Sequence, residues 1–161
     1  LMNEGTYRQR LASYWMKSIP DIFQKLTEGC TTLDFGCGTG NVSMTLAEAF
    51  PKTTCYGIDL DLTSIKKAEQ SAQNAGFKDK ISFIHGNIET LEDQQFDLIT
   101  ILDCIHDLVD PVGILKSLKK MLTWKNLLFS LIINVVFHSF LCRRHNFLDR
   151  LVLVLGVLVC L

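Results

Sequence analysis

The segment Leu33-Asp34-Phe35-Gly36-Cys37-Gly38-Thr39-Gly40 constrains what this chain can fold into more than any other part of it. A short apolar run, TTLDF (31–35), enters it, and NVSMTLAEAF (41–50), with helical spacing and a stop at Pro51, leaves it. Glycines at 36, 38 and 40 permit a tight turn and the close approach of another group that a side chain would block. A buried strand, a glycine turn and a helix in that order form the opening unit of an α/β fold with a mostly parallel sheet.

The remainder repeats this alternation. TTCYGID (53–59), KISFIHG (80–86) and FDLITILD (96–103) read as strands, and LTSIKKAEQSAQNAG (62–76) as a helix stopped by Gly76. Pro111 to Leu122 reads as a helix with proline near its start, where a missing N–H costs nothing. Residues 7–28 have helical spacing, with Leu11, Tyr14, Trp15, Ile19, Ile22, Phe23 and Leu26 apolar and a break at Pro20, after which Asp21 helps begin a second helix. The predicted sheet has strand order 3-2-1-4 with helices on both faces and right-handed crossovers. A chain of 161 residues supports one core.

The glycine spacing bears on the ligand. A dinucleotide loop reads G-x-G-x-x-G and sets a helix N-terminus against a pyrophosphate. Here the third glycine comes one residue early, as G-x-G-x-G, and Asn41 takes the later position. Asp34, just before the glycines, suits a positively charged ligand better than a phosphate. Asp59, 19 residues after Gly40 at the end of the second strand, is placed to accept hydrogen bonds from two ribose hydroxyls. Asp61 is expected to cap the next helix.

Composition narrows the rest. Net charge is −1, which gives no electrostatic footprint for nucleic acid. Lys125, Arg143, Arg144, Asp149 and Arg150 give residues 124–161 a net +3, so the first 123 residues carry −4. The six cysteines, at 30, 37, 55, 104, 142 and 160, include no C-x-x-C pair, so no metal site is expected. The opening LMNEGTYRQR lacks the apolar core of a secretion signal, and scattered thiols fit a cytoplasmic protein.

Over roughly residues 10–123 the sequence resembles class I S-adenosylmethionine-dependent methyltransferases, with LDFGCGTG as their first motif and YGIDLD as the next. It is similar in particular to a small-molecule branch with an acid-rich segment after the fourth strand, here Asp103-Cys104-Ile105-His106-Asp107-Leu108-Val109-Asp110-Pro111. The resemblance implies a Rossmann-like three-layer sandwich, S-adenosyl-L-methionine as cofactor and a small-molecule methyl acceptor. It also implies roles. Gly36, Cys37 and Gly38, with Gly40 in the same loop, would contact the methionine and ribose through backbone. Asp59 would bind the ribose hydroxyls, Leu60 would pack on the adenine, and Asn87 with Ile88 would border it. The family more often has Asp at the Asn87 position; Asn still offers a carbonyl acceptor. Asp34 would meet the cationic end, and Asp103 would face the methionine moiety or the acceptor.

His106 is the candidate general base toward an acceptor hydroxyl or amine, with a helix-capping or packing role near Asp107 and Asp110 as the alternative. Cys37 reads as a small packing residue rather than a nucleophile. His85 reads as packed or solvent-facing. Tyr14 and Trp15 read as core, with closure over the cofactor as the alternative.

The domain reading is a partial methyltransferase domain over 1–123 and a hydrophobic tail over 124–161 whose status stays open. No Pro-Gly-Gly-like turn follows Met121. One reading is a tail foreign to the enzyme, which leaves the far edge of the sheet incomplete. A second, not favoured, is a membrane segment around Leu127–Cys142, short of the roughly 20 residues a span needs unless extended past Lys125. A third is a substitute fifth strand within Leu128–Phe137 that covers the edge of the fourth. Three functional rivals accompany these: a cofactor-binding remnant without turnover, a nicotinamide-dependent oxidoreductase, against which the glycine spacing argues, and a membrane-anchored methyltransferase-like protein.

Overall fold

The computed structural model describes residues 11–91, 93–102, 104–123 and 131–134, the side chains of residues 15, 106 and 131–134 excepted. Its frame is a sheet of five parallel strands, β1 (Thr31–Phe35), β2 (Thr54–Asp59), β3 (Ile81–His85), β4 (Leu98–Leu102) and β5 (Leu131–Asn134), in the order β3-β2-β1-β4-β5. Among the described residues, four α-helices connect or flank them: α1 (Pro20–Glu28), α2 (Asn41–Ala49), α3 (Leu62–Asn74) and α4 (Pro111–Lys120). Short 3-10 turns follow β3 (Ile88–Leu91) and β4 (Ile105–Asp107). The predicted order 3-2-1-4 is present, and the fold is the α/β sandwich that the alternation implied.

Strand alternation divides the core in two. Thr32, Asp34, Cys55, Leu98 and Leu102 share one side, with Ile22 and Leu26 of α1 and Val42, Leu46 and Ala47 of α2. Leu33, Phe35, Ile58, Ile99 and Ile101 pack the other side with Leu115 and Leu118 of α4 and Leu91. All five residues of β4 are buried, as a strand covered on both faces requires. Both helix-starting prolines, Pro20 and Pro111, occupy the first turn. Asp61 caps α3, its carboxylate accepting the backbone N–H of Thr63 at 3.0 Å and of Ser64 at 3.1 Å, as expected. Asp110 does the same for α4 through Gly113 N–H at 2.9 Å.

Two expectations change. The N-terminal stretch is not one helix broken at Pro20: Leu11–Trp15 is a π-helical turn and Met16–Ser18 a 3-10 turn. The wider and tighter turns break the 3.6-residue period, so Tyr14, expected in the core, is 57% exposed, while Leu11 and Met16 are buried. The far edge of β4 is covered. The chain leaving α4 pairs Leu122 with Phe96, and Leu131–Asn134 then pairs in parallel with Ile99–Leu102. The covering strand lies inside the 128–137 span that the third reading of the tail picked out. No helix among the described residues is long and apolar enough to cross a membrane.

Candidate functional site

The carboxyl ends of β1, β2 and β4 meet at the glycine turn, where ligands sit in a doubly wound sheet. Gly36, Gly38 and Gly40 all have positive φ, at +74°, +53° and +80°. The N–H groups of Gly36 and Cys37 both donate to the carbonyl of Ile58, at 2.9 and 3.0 Å. Gly38 N–H donates to Asp59 Oδ2 at 2.8 Å, and Gly40 N–H to the Cys37 carbonyl at 2.9 Å. Four N–H groups of the loop therefore face inward to protein oxygens. A pyrophosphate needs such groups pointing at it. The sequence from 11 to 123 also contains no arginine to clamp a phosphate.

Acceptors dominate instead. Asp59 is held by two N–H groups, Gly38 on Oδ2 and Asp61 on Oδ1 at 2.9 Å. Each carboxylate oxygen keeps a second lone-pair direction, which matches a vicinal diol. Asp34 is buried at 3% exposure, and its Oδ1 accepts the Thr100 hydroxyl at 2.7 Å. Its Oδ2 is buried without a hydrogen-bond partner. Burial, opposed by the Thr100 hydroxyl and reinforced by the charge of Asp59, pushes the Asp34 carboxyl up to about 7. An orphaned buried oxygen beside a diol acceptor fits a ligand that carries both a cation and a ribose, as S-adenosylmethionine does.

The other candidates fall as follows. Leu60 is 72% exposed beside Asp59, free to cover a ring. Asn87 is exposed and serves an Asx turn: its Oδ1 accepts Glu89 N–H at 3.1 Å and its Nδ2 donates to Glu89 Oε2 at 3.0 Å. Ile88, half-buried, opens the turn after β3. His85 is exposed, its Nε2 3.1 Å from the Leu60 carbonyl. Cys37 is buried, and burial together with the charges of Asp34 and Asp59 pushes its thiol far up, out of the range of a nucleophile at neutral pH. His106 lies in the turn after β4, and Asp103 lies outside the described residues.

Three contributors escaped the sequence reading. Thr100 is the partner of Asp34; the available signal was a hydroxyl in an otherwise apolar strand, LITIL. Phe83 fills the space that a side chain at Gly40 or Gly57 would need. Cys104 donates its Sγ hydrogen to the Phe35 carbonyl at 3.1 Å and packs over Gly36.

A sheet ordered 3-2-1-4-5, with a glycine turn after β1 and a ribose-type acid after β2, defines the Rossmann-like class that binds nucleoside cofactors. A family model described as "Methyltransferase domain" matches residues 26–136, which includes β5, and the chain belongs to that family. A demethylmenaquinone methyltransferase from Anoxybacillus flavithermus is 31% identical over 97 residues, covering 58% of this chain and 40% of the relative. A ubiquinone biosynthesis O-methyltransferase from Idiomarina loihiensis is 38% identical over 97 residues, covering 58% and 38%. Among solved structures, PKMT2 from Rickettsia typhi in complex with AdoHcy superposes with a TM-score of 0.55 at 28% identity, covering 61% of this chain and 20% of that one. The chain thus spans about two fifths of the length of the curated relatives named here.

Proposed function

We propose that this chain binds S-adenosylmethionine and transfers its methyl group to a small-molecule acceptor. The observation that carries this reading is the inward use of the loop N–H groups together with Asp59 held as an acceptor pair. Asp59 takes the ribose hydroxyls, Leu60 and Ile88 border the adenine with Asn87, and Asp34 offers its unpartnered oxygen to the ligand's cationic end. Gly36, Cys37, Gly38 and Gly40 shape the floor, and Asp103, next after β4 in the sequence, is the residue proposed to face the methionine moiety or the acceptor. S-adenosylmethionine supplies a methyl group already activated on a sulfonium, so the protein's main task is to position the acceptor for in-line attack.

His106, in the turn after β4, is the group proposed to take the acceptor's proton. Val109, fully exposed, and Val112 of α4, half-exposed, offer an apolar edge near that turn. The relatives named for quinone biosynthesis support an acceptor with an apolar ring. The scattered cysteines, without a C-x-x-C pair, support a cytoplasmic setting.

Calorimetric titration with S-adenosylmethionine and, separately, NAD tests the reading. Binding of the first alone, weakened at least tenfold in Asp59→Ala, is the expected result (two ribose hydrogen bonds to a charged group, about 1.5 kcal/mol or more each). Preference for NAD sinks it. Cofactor binding with no methyl transfer to any quinol or phenol acceptor supported by an active relative identifies a binding remnant instead.

A further inference from the structure

We propose that Asp34 is a proton-linked cofactor site: its buried carboxyl gives up a proton to solvent as a cationic ligand docks, and Thr100 is the positioning residue that leaves Oδ2 as the docking atom. The inference rests on the proposed use of S-adenosylmethionine.

The geometry carries it. Asp34 pairs with Gly57 of β2 on one side and Thr100 of β4 on the other, in the middle of the sheet, and its side chain is buried. Thr100 is fully buried, and its hydroxyl oxygen lies 2.7 Å from Asp34 Oδ1 and 3.3 Å from the Leu33 carbonyl, the shorter contact being to the carboxyl. That contact fixes which oxygen is engaged. Oδ2 is left buried and unpartnered, a state that disfavours the charge until a cation arrives. Among the described residues, no charged partner neutralises it from the neighbouring elements. On β2, Asp59 is a like charge, and Cys55 is a thiol pushed up to about 11 by burial. In the glycine loop, Cys37 is likewise pushed up and stays neutral. On β4 and just beyond it stand Thr100 and the Cys104 thiol. In α2 the one ionisable side chain is Glu48, near the far end. The N-terminal turns and α1 bring Tyr14, Lys17, Asp21, Lys25 and Glu28, of which Lys25 pairs with Asp97 at the opposite end of the sheet. The carboxyl, near 7 without ligand, is thus mostly protonated in mildly acidic solution.

A docked cation favours the carboxylate, so binding releases a proton and strengthens as pH rises. Between pH 5.5 and 7 the expected gain in affinity is roughly tenfold. The ligand's own amine, an α-amino group of ordinary value near 8, stays protonated throughout that window.

The test is calorimetry of S-adenosylmethionine with the full chain at pH 5.5 and 7, in two buffers of different ionisation enthalpy. Wild type should show the gain and a buffer-dependent heat that reports proton release. Asp34→Asn retains His85 and His106 and so subtracts any histidine contribution; it should bind more weakly with a flat profile. Thr100→Val, which removes the hydroxyl that favours the charged form, should shift the rise to higher pH, and Thr100→Ser should restore it. Without any ligand, the melting temperature of wild type should fall as pH rises from about 4 to 8, and that of Asp34→Asn should not share this fall. If Asp34→Asn does not fold, the Thr100 pair still decides. Binding that is equally tight at both pH values, or a Thr100→Val profile that matches wild type, overturns the proposal and leaves the cofactor reading intact. No binding at any pH overturns both.

Discussion

A methyl group added at position 36 would meet Cys104 Sγ at 2.5 Å and its Cβ at 2.8 Å, on a backbone with φ +74°. Two independent obstacles, a strained dihedral and a filled space, thus select glycine there. Gly36→Ala is expected to lower stability by about 1–3 kcal/mol, read from the urea midpoint at constant slope. Cys104→Ala in that background should recover part of the loss by removing the Sγ, which a double-mutant cycle measures. At this scale the glycines, Asp34 and Asp59 were legible because a turn and two acids at strand ends are local features. Thr100 was not, because its meaning is a contact with a residue 66 positions away. The Asx turn at Asn87 likewise emerges only from the conformation of the chain after β3.

Among the elements, β1 to β4 and α2 to α4 follow the sequence closely because each combines an apolar period with a stop signal. TTLDF ends at a glycine, α2 ends before Pro51, and α3 ends with Gly76 at φ +77° just beyond it. The N-terminal segment departs because burial of Leu11 and Met16 overrides the helical period through a π turn and a 3-10 turn. β5 carries a prediction of its own. It covers the outer edge of β4 over Ile99–Leu102, and edge strands present unpaired N–H and C=O groups. Removal of residues 124–161 is expected to speed hydrogen exchange at the β4 amides that face β5, while those that face β1 change less. Unchanged exchange across β4 would contradict the pairing.

Across the whole molecule, two carboxylates at opposite ends of the sheet act on stability in opposite directions. Asp97, just before β4, accepts Lys25 Nζ of α1 at 2.7 Å, Thr31 N–H of β1 at 2.9 Å and the Thr123 hydroxyl at 2.8 Å. Partial burial works to raise its pKa, but the Lys25 hydrogen bond, the Thr31 N–H, the Thr123 hydroxyl and the Lys25 charge outweigh it, and the carboxyl lies below its ordinary value. Its contribution is therefore present above about pH 4 and lost as pH falls through the lowered value. Asp97→Asn should cost about 1–2 kcal/mol at pH 7, and the gap from wild type should close in acid, as thermal melts at pH 7 and 3 would show. Asp34, raised instead, withdraws stability as pH climbs toward and past 7. The amino end of the sheet thus holds a satisfied ion pair and the carboxyl end an unsatisfied acid, which suits a frame at one end and a ligand at the other. The sequence by itself determined the class of fold, the place of the glycine turn and the acid after β2, because periodicity, turn residues and spacing act within a few positions of the chain. Only the tertiary structure decided which side of Asp34 is engaged, where the loop N–H groups point and what covers the edge of β4, because each of these depends on residues that the crossovers bring together from distant strands.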